Sequence, residues 1–344
     1  MSRKRIAFIG AGWIGRQRME TMLAGGRVEA CAICEPDPAA AQAARALAPE
    51  AAMVATLDDA LALAPDGVAI ATPSALHAAQ SLAALEAGAA VFCQKPLGRS
   101  AAEVCKILAA ARGADLLLGV DMSYRFTEAM RAVRREVCAG AIGHVYAVEL
   151  IFHNAYGPDK PWFYDPLLSG GGCLIDLGIH LVDLALWTLG WPRVTEVASR
   201  LFANGEPWRP GIVEDHALAT LALEDGAAIR LACSWHLSAG QDAVIAADFH
   251  GTKGSARLRN LGGSFYDFVA ERCEGTHCAR LVSPPDPWSG RAGAVWADLL
   301  AEGAGFAQSP HGLVEASEAL DRIYAAAAPI AHEAPAPRLM AGTL

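Results

Sequence analysis

Asp176 and His180 stand four residues apart in the segment Gly170-Gly171-Gly172-Cys173-Leu174-Ile175-Asp176-Leu177-Gly178-Ile179-His180. On a helix that spacing puts both side chains on one face. An imidazole titrates near neutral pH and can take a proton from an alcohol. A carboxylate beside it would orient the ring and favour its protonated form, and the glycines would let the loop come close to a ligand. A helix-surface ion pair would leave the same trace, and the absence of an H-E-x-x-H run excludes the zincin pattern. Lys95 is a second candidate, in Cys93-Gln94-Lys95-Pro96-Leu97 at the carboxyl end of an expected strand. That edge of an open α/β sheet is where ligands bind. An ammonium there can hydrogen-bond a hydroxyl and steady developing charge, although the local sequence by itself favours a surface lysine beside a turn proline. Thr72-Pro73-Ser74-Ala75-Leu76-His77 closes another expected strand. It could line one side of a ligand cleft or simply start a helix with Ser74 as N-cap.

A cleft of that kind is announced near the start of the chain. Gly10-Ala11-Gly12-Trp13-Ile14-Gly15 follows the apolar run Ile6–Ile9 and leads into helix-forming residues, and Glu35 stands twenty residues beyond Gly15. This is the dinucleotide-binding fingerprint in its expected context. Gly10 would make the tight turn, Gly12 would leave room for the pyrophosphate, and Gly15 would let the helix pack closely on the sheet. The helix N-terminus would offer unpaired N–H groups to the phosphates. Glu35 would accept hydrogen bonds from the adenosine ribose and repel a 2′-phosphate, and Pro36 and Asp37 offer no arginine to welcome one. NAD is therefore expected over NADP.

The 344 residues suggest two domains, and 53% hydrophobic content supplies ample core. A net charge of −9 argues against a general nucleic-acid surface. No apolar run is read as membrane-spanning. The basic start Arg3-Lys4-Arg5 before Ile6 mimics an export signal, but its apolar part is short and better used as the first strand, so a cytoplasmic location is expected. Nine cysteines without a secretory signal argue for reduced thiols. Cys31 and Cys34 form a C-x-x-C without a second pair, and Cys273, His277 and Cys278 lack a clear fourth ligand, so no metal site is expected.

The elements that must position these groups fall into two regimes. Up to about residue 123, short apolar strands alternate with helices: Val28–Cys34, Gly67–Ala71, Ala90–Cys93 and Leu116–Leu118, with helices from Pro38, Ser74 and Ala101. That rhythm means a parallel, doubly wound Rossmann sheet. From residue 124 to about 330 come a helix at Glu128–Cys138, a strand at Val145–Phe152, a Gly-, Pro- and aromatic-rich loop, and a helix around Ile175–Leu189. Several long strands follow between Val194 and Val282, including His216–Leu223 and Ala228–Trp235, then closing helices at Ala292–Phe306 and Leu313–Ala327. Consecutive strands suggest a large, mainly antiparallel open sheet in a C-terminal α/β domain. Residues 331–344, with Pro335 and Pro337, read as a tail. His153, Asn154, Tyr156, Trp162 and Tyr164 could cover the cleft and bind a sugar or could merely pack the loop; Trp235 and His236 are weaker candidates.

Taken together, the segments resemble the family of glucose–fructose oxidoreductase, inositol dehydrogenase and rhizopine catabolism, Gfo/Idh/MocA. The resemblance rests on the glycine fingerprint combined with Thr72-Pro73…His77, Lys95-Pro96, Tyr124-Arg125-Phe126 and Gly171-Gly172…Asp176…His180. It covers nearly the whole chain. It implies an N-terminal Rossmann domain, a C-terminal α/β domain whose sheet forms dimer or tetramer contacts in relatives, and catalytic roles for Lys95, Asp176 and His180. The cofactor set is then Gly10, Gly12, Trp13, Ile14, Gly15, Glu35, Thr72, Pro73, His77, Gln94 and Lys95. The substrate set is Lys95, Tyr124, Arg125, Asn154, Trp162, Asp176 and His180. The expected activity is NAD-dependent oxidation of a secondary alcohol of a sugar, cyclitol or related polyol. An NAD-using glycoside-cleaving or eliminating enzyme, or a non-enzymatic sensor of NAD or sugar, stands as the alternative. One departure is Gln94, where the family usually has glutamate. If a carboxylate at that position helps keep the lysine protonated, Lys95 should lose its proton more easily here.

Overall fold

The computed structural model describes residues 3–327. Its first sheet contains β1 (Lys4–Ile9), β2 (Val28–Cys34), β3 (Ala52–Met53), β4 (Gly67–Ile70), β5 (Ala90–Cys93) and β6 (Leu118–Val120). All pairs are parallel, in the order β3-β2-β1-β4-β5-β6. Every residue of β4 and β5 is buried, as a sheet covered on both faces requires. The crossovers are α1 (Trp13–Ala24), α2 (Pro38–Leu47), α3 (Leu57–Leu61), α4 (Ser74–Glu86) and α5 (Ala101–Gly113). The strand order reverses between β1 and β4, and the loops after these two strands carry the glycine fingerprint and Thr72. In such folds that reversal opens the crevice for a dinucleotide. The sixth strand begins two residues later than expected, because Leu116 N still closes the end of α5 on Ala111 O.

The second sheet follows α6 (Glu128–Cys138). It contains β7 (Val145–Asn154) and then, after α7 (Pro166–Ser169) and α8 (Ile179–Leu189), the strands β8 (Val194–Ala203), β9 (Glu206–Pro207), β10 (His216–Leu223), β11 (Ala228–Ser234), β12 (Ala243–Gly251), β13 (Gly254–Asn260), β14 (Phe268–Glu274) and β15 (His277–Val282). The order is β15-β14-β13-β12-β7-β11-β10-β8-β9. Only β7 and β11 pair in parallel; the rest are antiparallel. Alternation sorts the faces. Ala217, Ala219, Leu221 and Leu223 of β10 point into the core while Leu218 and Thr220 are exposed. The apolar sides of α6 and α8 pack on the inner face, together with the last helix described below.

Two expectations need correcting. The helix expected at Ala292–Phe306 ends at Ala301, where Glu302-Gly303 closes it, and this α9 (Arg291–Ala301) does not join the second domain. Its Ala292, Trp296, Ala297 and Leu300 share a core with Ile6, Phe8, Met19, Val28 and Phe92 of the first domain. The chain therefore crosses back before α10 (Leu313–Ala327) returns to the second sheet, and a division into 1–123 and 124–330 is not continuous along the chain. The tail from 331 lies outside the described residues. The second correction concerns membranes: Pro166–Leu189 is, by length and composition, apolar enough to cross one, but 83% of its most apolar stretch is buried inside the protein.

The return of α9 depends on two missing side chains. A Cβ on Gly67 would lie 2.7 Å from Trp296 Cη2, and one on Gly119 would lie 2.5 Å from Trp296 Cδ1. The indole also meets Phe92 at 5.7 Å between ring centres, and its buried Nε1 has no partner among the described residues. Trp296→Ala should therefore lower stability by about 3–5 kcal/mol through the cavity it leaves. Trp296→Phe, which drops the orphaned N–H, should cost much less. Urea unfolding of the whole chain checks both; equal midpoints for the alanine variant and the parent would contradict this packing.

Candidate active site

The glycine loop meets the requirements of a dinucleotide. Gly10 has φ +83°, and a Cβ there would sit 2.5 Å from Ala71 O. A Cβ on Gly15 would lie 2.2 Å from Gly10 O, so only glycine allows α1 to sit this close to the turn. Among the described residues Gly12 has open space above it, and no side chain caps the N-terminus of α1. An unfilled cradle at an uncapped helix start fits a pyrophosphate. Trp13 is exposed and Ile14 half-buried beside it. Glu35 braces the loop: Oε2 accepts from Ala11 N at 2.6 Å and Oε1 from Asp37 N at 2.9 Å. A carboxylate has about four acceptor sites, so two bonds leave it able to receive ribose hydroxyls.

Lys95 and Asp176 join the two domains. Lys95 Nζ donates to Asp176 Oδ1 at 2.5 Å and to Asp176 O at 2.8 Å. Asp176 Oδ2 accepts from Trp235 Nε1 at 3.1 Å. The carboxylate sits on a single π-turn, Leu174–Gly178, before α8. Such turns recur at functional sites. The start of this turn is held from outside by Glu214, which is fully buried. Its Oε1 accepts from Gly172 N (2.9 Å), Leu174 N (3.0 Å) and Tyr324 OH (2.8 Å), and its backbone O accepts from Cys173 N (3.0 Å). Burial pushes the Glu214 carboxyl above its usual range, against those donors. The other anchor is His77, whose ring nitrogens lie 2.7 Å from Pro96 O and 2.8 Å from Thr72 O.

His180 lies one turn beyond Asp176 and is buried. The edge of Tyr124 meets it at 4.9 Å between ring centres, and Phe152 flanks it at 6.5 Å. Burial holds its pKa well below the ordinary histidine value, and the charges of Lys95 and then Arg18 push the same way. This reverses the expectation that Asp176 would favour the imidazolium. The carboxylate gives its two oxygens to Lys95 and Trp235, so its charge is already matched. The imidazole is neutral at pH 7, which is the state of a base. Nor does residue 94 partner the Lys95 ammonium. Gln94 Oε1 accepts from Lys95 N at 3.1 Å, and its amide donates to Asp121.

Other candidates sort by environment. Trp235 carries Phe163 and Tyr164 edge-on at 6.3 and 5.7 Å, and Trp162 stacks on Phe163 at 3.8 Å, so the aromatic loop does reach the Asp176 side of the cleft. Asn154 ends β7, and its Oδ1 is buried with no partner among the described residues. Four expected contacts are corrected. His77 cannot reach a cofactor with its ring, because both nitrogens face backbone carbonyls and it is 1% exposed. Arg125 is taken by a two-pronged pair with Asp183 of α8 and lies over Trp191 at 5.1 Å, since a buried guanidinium needs a full set of acceptors. Tyr124 is 5% exposed and packs His180. His153 turns to the opposite face of the sheet by strand alternation, where it contacts Ser234 Oγ at 2.7 Å and stacks on His216. No three metal-ligating side chains converge among the described residues, so Cys273, His277 and Cys278 do not form such a group.

The sequence reading missed Arg18, Asp121 and Glu214. Arg18 left a signal: Gly15, Arg18, Met19 and Met22 are the buried positions of α1, at helical spacing, so a cation stands on the core face. Glu214 left none.

Residues 4–122 match the profile of an oxidoreductase family with an NAD-binding Rossmann fold, and residues 130–257 match the GFO/IDH/MocA C-terminal domain. A D-glucoside 3-dehydrogenase of Escherichia coli (strain K12) is 30% identical over 272 residues, covering 74% of this chain and 76% of that protein. An inositol 2-dehydrogenase of Leifsonia xyli subsp. xyli (strain CTCB07) is 30% identical over 264 residues, covering 75% and 74%. Among solved structures, GenD2 from gentamicin A biosynthesis, in complex with NAD, aligns over 95% of both chains with a TM-score of 0.79 and 25% identity. KijD10, a 3-ketoreductase from Actinomadura kijaniata in complex with NADP and TDP-benzene, shares the fold at a TM-score of 0.78 and 20% identity, over 94% of this chain and 98% of that one.

The buried imidazole has a consequence for stability. A histidine whose folded pKa lies below its unfolded value of about 6.5 leaves the unfolded chain holding the extra proton at lower pH. Its contribution is complete above that value and is lost as pH falls toward the folded pKa. Between pH 7 and 5 the urea midpoint of the parent should fall more steeply than that of His180→Gln; parallel slopes would contradict a neutral buried ring.

Proposed function

This chain belongs to the GFO/IDH/MocA oxidoreductase family and is a dehydrogenase acting on CH–OH groups; from that premise we propose that it moves a hydride between NAD(H) and a secondary alcohol of a sugar, cyclitol or related polyol. The observation that carries this reading is a buried, neutral His180 beside the Lys95–Asp176 pair at the junction of the two sheets. Gly10, Gly12, Gly15 and the start of α1 would hold the pyrophosphate, and Glu35 the adenosine ribose. The nicotinamide of a bound dinucleotide supplies the hydride acceptor. Lys95 donates a hydrogen bond to the substrate hydroxyl and steadies negative charge growing on its oxygen. His180 takes the hydroxyl proton, and its depressed pKa keeps it ready to do so at neutral pH. Asp176 holds the ammonium, while Trp235 fixes the carboxylate by its indole N–H. Tyr164 and Trp162 offer faces for the C–H side of a sugar ring, and Asn154 at the end of β7 keeps a buried Oδ1 without a partner among the described residues.

The NAD preference is supported by Glu35, whose charge opposes a 2′-phosphate. We also propose that the outer face of the nine-stranded sheet, which exposes Tyr146 and Leu218, pairs with another copy of the chain as a homodimer or homotetramer. Light-scattering mass measurement separates that from a monomer.

Absorbance of the reduced nicotinamide, followed across sugars, inositols and sugar acids with NAD and NADP in parallel, tests the reaction. NAD should be reduced by a compound with a secondary alcohol. His180→Ala should lower turnover by about 10²- to 10⁴-fold, the range of general acid–base catalysis, with NAD binding by calorimetry unchanged. Intact turnover in that variant would remove His180 as the base.

A further inference from the structure

Arg18 is an unusual residue for the buried side of a glycine-loop helix. It is 2% exposed, and its ion-pair partner Asp121 is 1% exposed. Arg18 Nε and one terminal nitrogen both lie 2.6 Å from Asp121 Oδ2. Gln94 Nε2 donates to the same oxygen at 2.5 Å, while Asp121 Oδ1 has no partner among the described residues. The guanidinium also lies 5.0 Å from the centre of the Trp288 ring. Trp288 stacks on Tyr124 at 5.9 Å, and Tyr124 meets His180 at 4.9 Å. A buried ion pair contributes little net stability over apolar residues of similar volume, so stability gives no reason for this cation. Its placement does.

We propose that Arg18 is a positioning residue for the redox site: pinned by Asp121 and the Trp288 ring, it ties the glycine-loop helix to the Lys95 segment and holds a fixed positive charge toward His180. The tie accounts for Gln94. Its amide donates to Asp121 and its carbonyl accepts from Lys95 N, so one side chain bridges the Arg18 pair to the catalytic lysine. A glutamate there would face the Asp121 carboxylate at that same 2.5 Å and force a proton between them or a shift of the segment. On the elements packed against the ring the charges stand in pairs, Asp176 with Lys95, Asp183 with Arg125 and Asp121 with Arg18, and Arg134 of α6 bonds Trp187 O; Tyr124 and Tyr324 are uncharged. Of these groups Lys95 and then Arg18 oppose a proton on the imidazole.

The bearing of Arg18 on catalysis rests on the dehydrogenase reading; its bearing on His180 does not. Histidine-labelled full-length chain, with His180→Gln to assign the resonance, allows the His180 titration to be followed by NMR without turnover. In Arg18→Met, and in Arg18→Met/Asp121→Leu where the pair is replaced by apolar side chains, the His180 midpoint should rise by about half a pH unit or more. In Asp121→Asn, which leaves the cation unmatched, it should not rise. Identical titration in folded parent and folded Arg18→Met or double variant overturns the charge assignment. For the tie, Gln94→Glu should lower the thermal midpoint, and adding Asp121→Asn should restore it; no restoration removes Gln94 from the tie. If the parent reduces neither nucleotide with any polyol, the dehydrogenase reading fails while the NMR result still decides the role of Arg18.

Discussion

The bond between the Lys95 ammonium and the Asp176 carboxylate is the constraint around which the rest of the site is arranged. It links the end of β5 in one sheet to the π-turn that leads into the second domain, at 2.5 Å. Each end is buttressed by neighbouring side chains. On the lysine side His77 lies against Pro96 O and Thr72 O, and Gln94 accepts from the Lys95 backbone. On the aspartate side Glu214 gathers two backbone N–H groups and the Tyr324 hydroxyl, and Trp235 holds the second carboxylate oxygen. A flexible ammonium loses considerable rotamer entropy when fixed. A site that must present it at one point therefore benefits from a partner already locked in place.

Burial keeps the charge off His180, and this pairing leaves Asp176 no free charge to oppose it. A free carboxylate one helical turn away would draw a proton onto the ring. With Asp176 matched, burial and then the nearby cations prevail, and the imidazole is left neutral.

The parallel sheet was legible because its strands are short, mostly apolar runs separated by helices, and the glycine fingerprint was legible because its backbone demands are local. Asp176 and His180 were legible as a pair by spacing, but the meaning of the spacing was not. Whether the carboxylate serves the histidine or the lysine depends on Lys95, eighty-one residues earlier in the chain. The same limit applies to Arg125. Its type suggested a ligand contact, yet Asp183 claims it across 58 residues. Glu214 was invisible because its work is done by accepting from backbone, which leaves no pattern of side chains. The return of α9 to the first sheet was hidden too: Trp296 reads as an ordinary apolar helix residue until Gly67 and Gly119 are seen to make room for it.

A double-mutant cycle of Lys95→Met and Asp176→Leu on kcat/KM for alcohol oxidation tests the linkage most directly. Residues that act as one unit lose little more together than apart. The double variant should therefore be no slower than about the worse single variant. Losses that multiply would mean that lysine and aspartate serve the reaction separately, and would contradict the central place given to their bond.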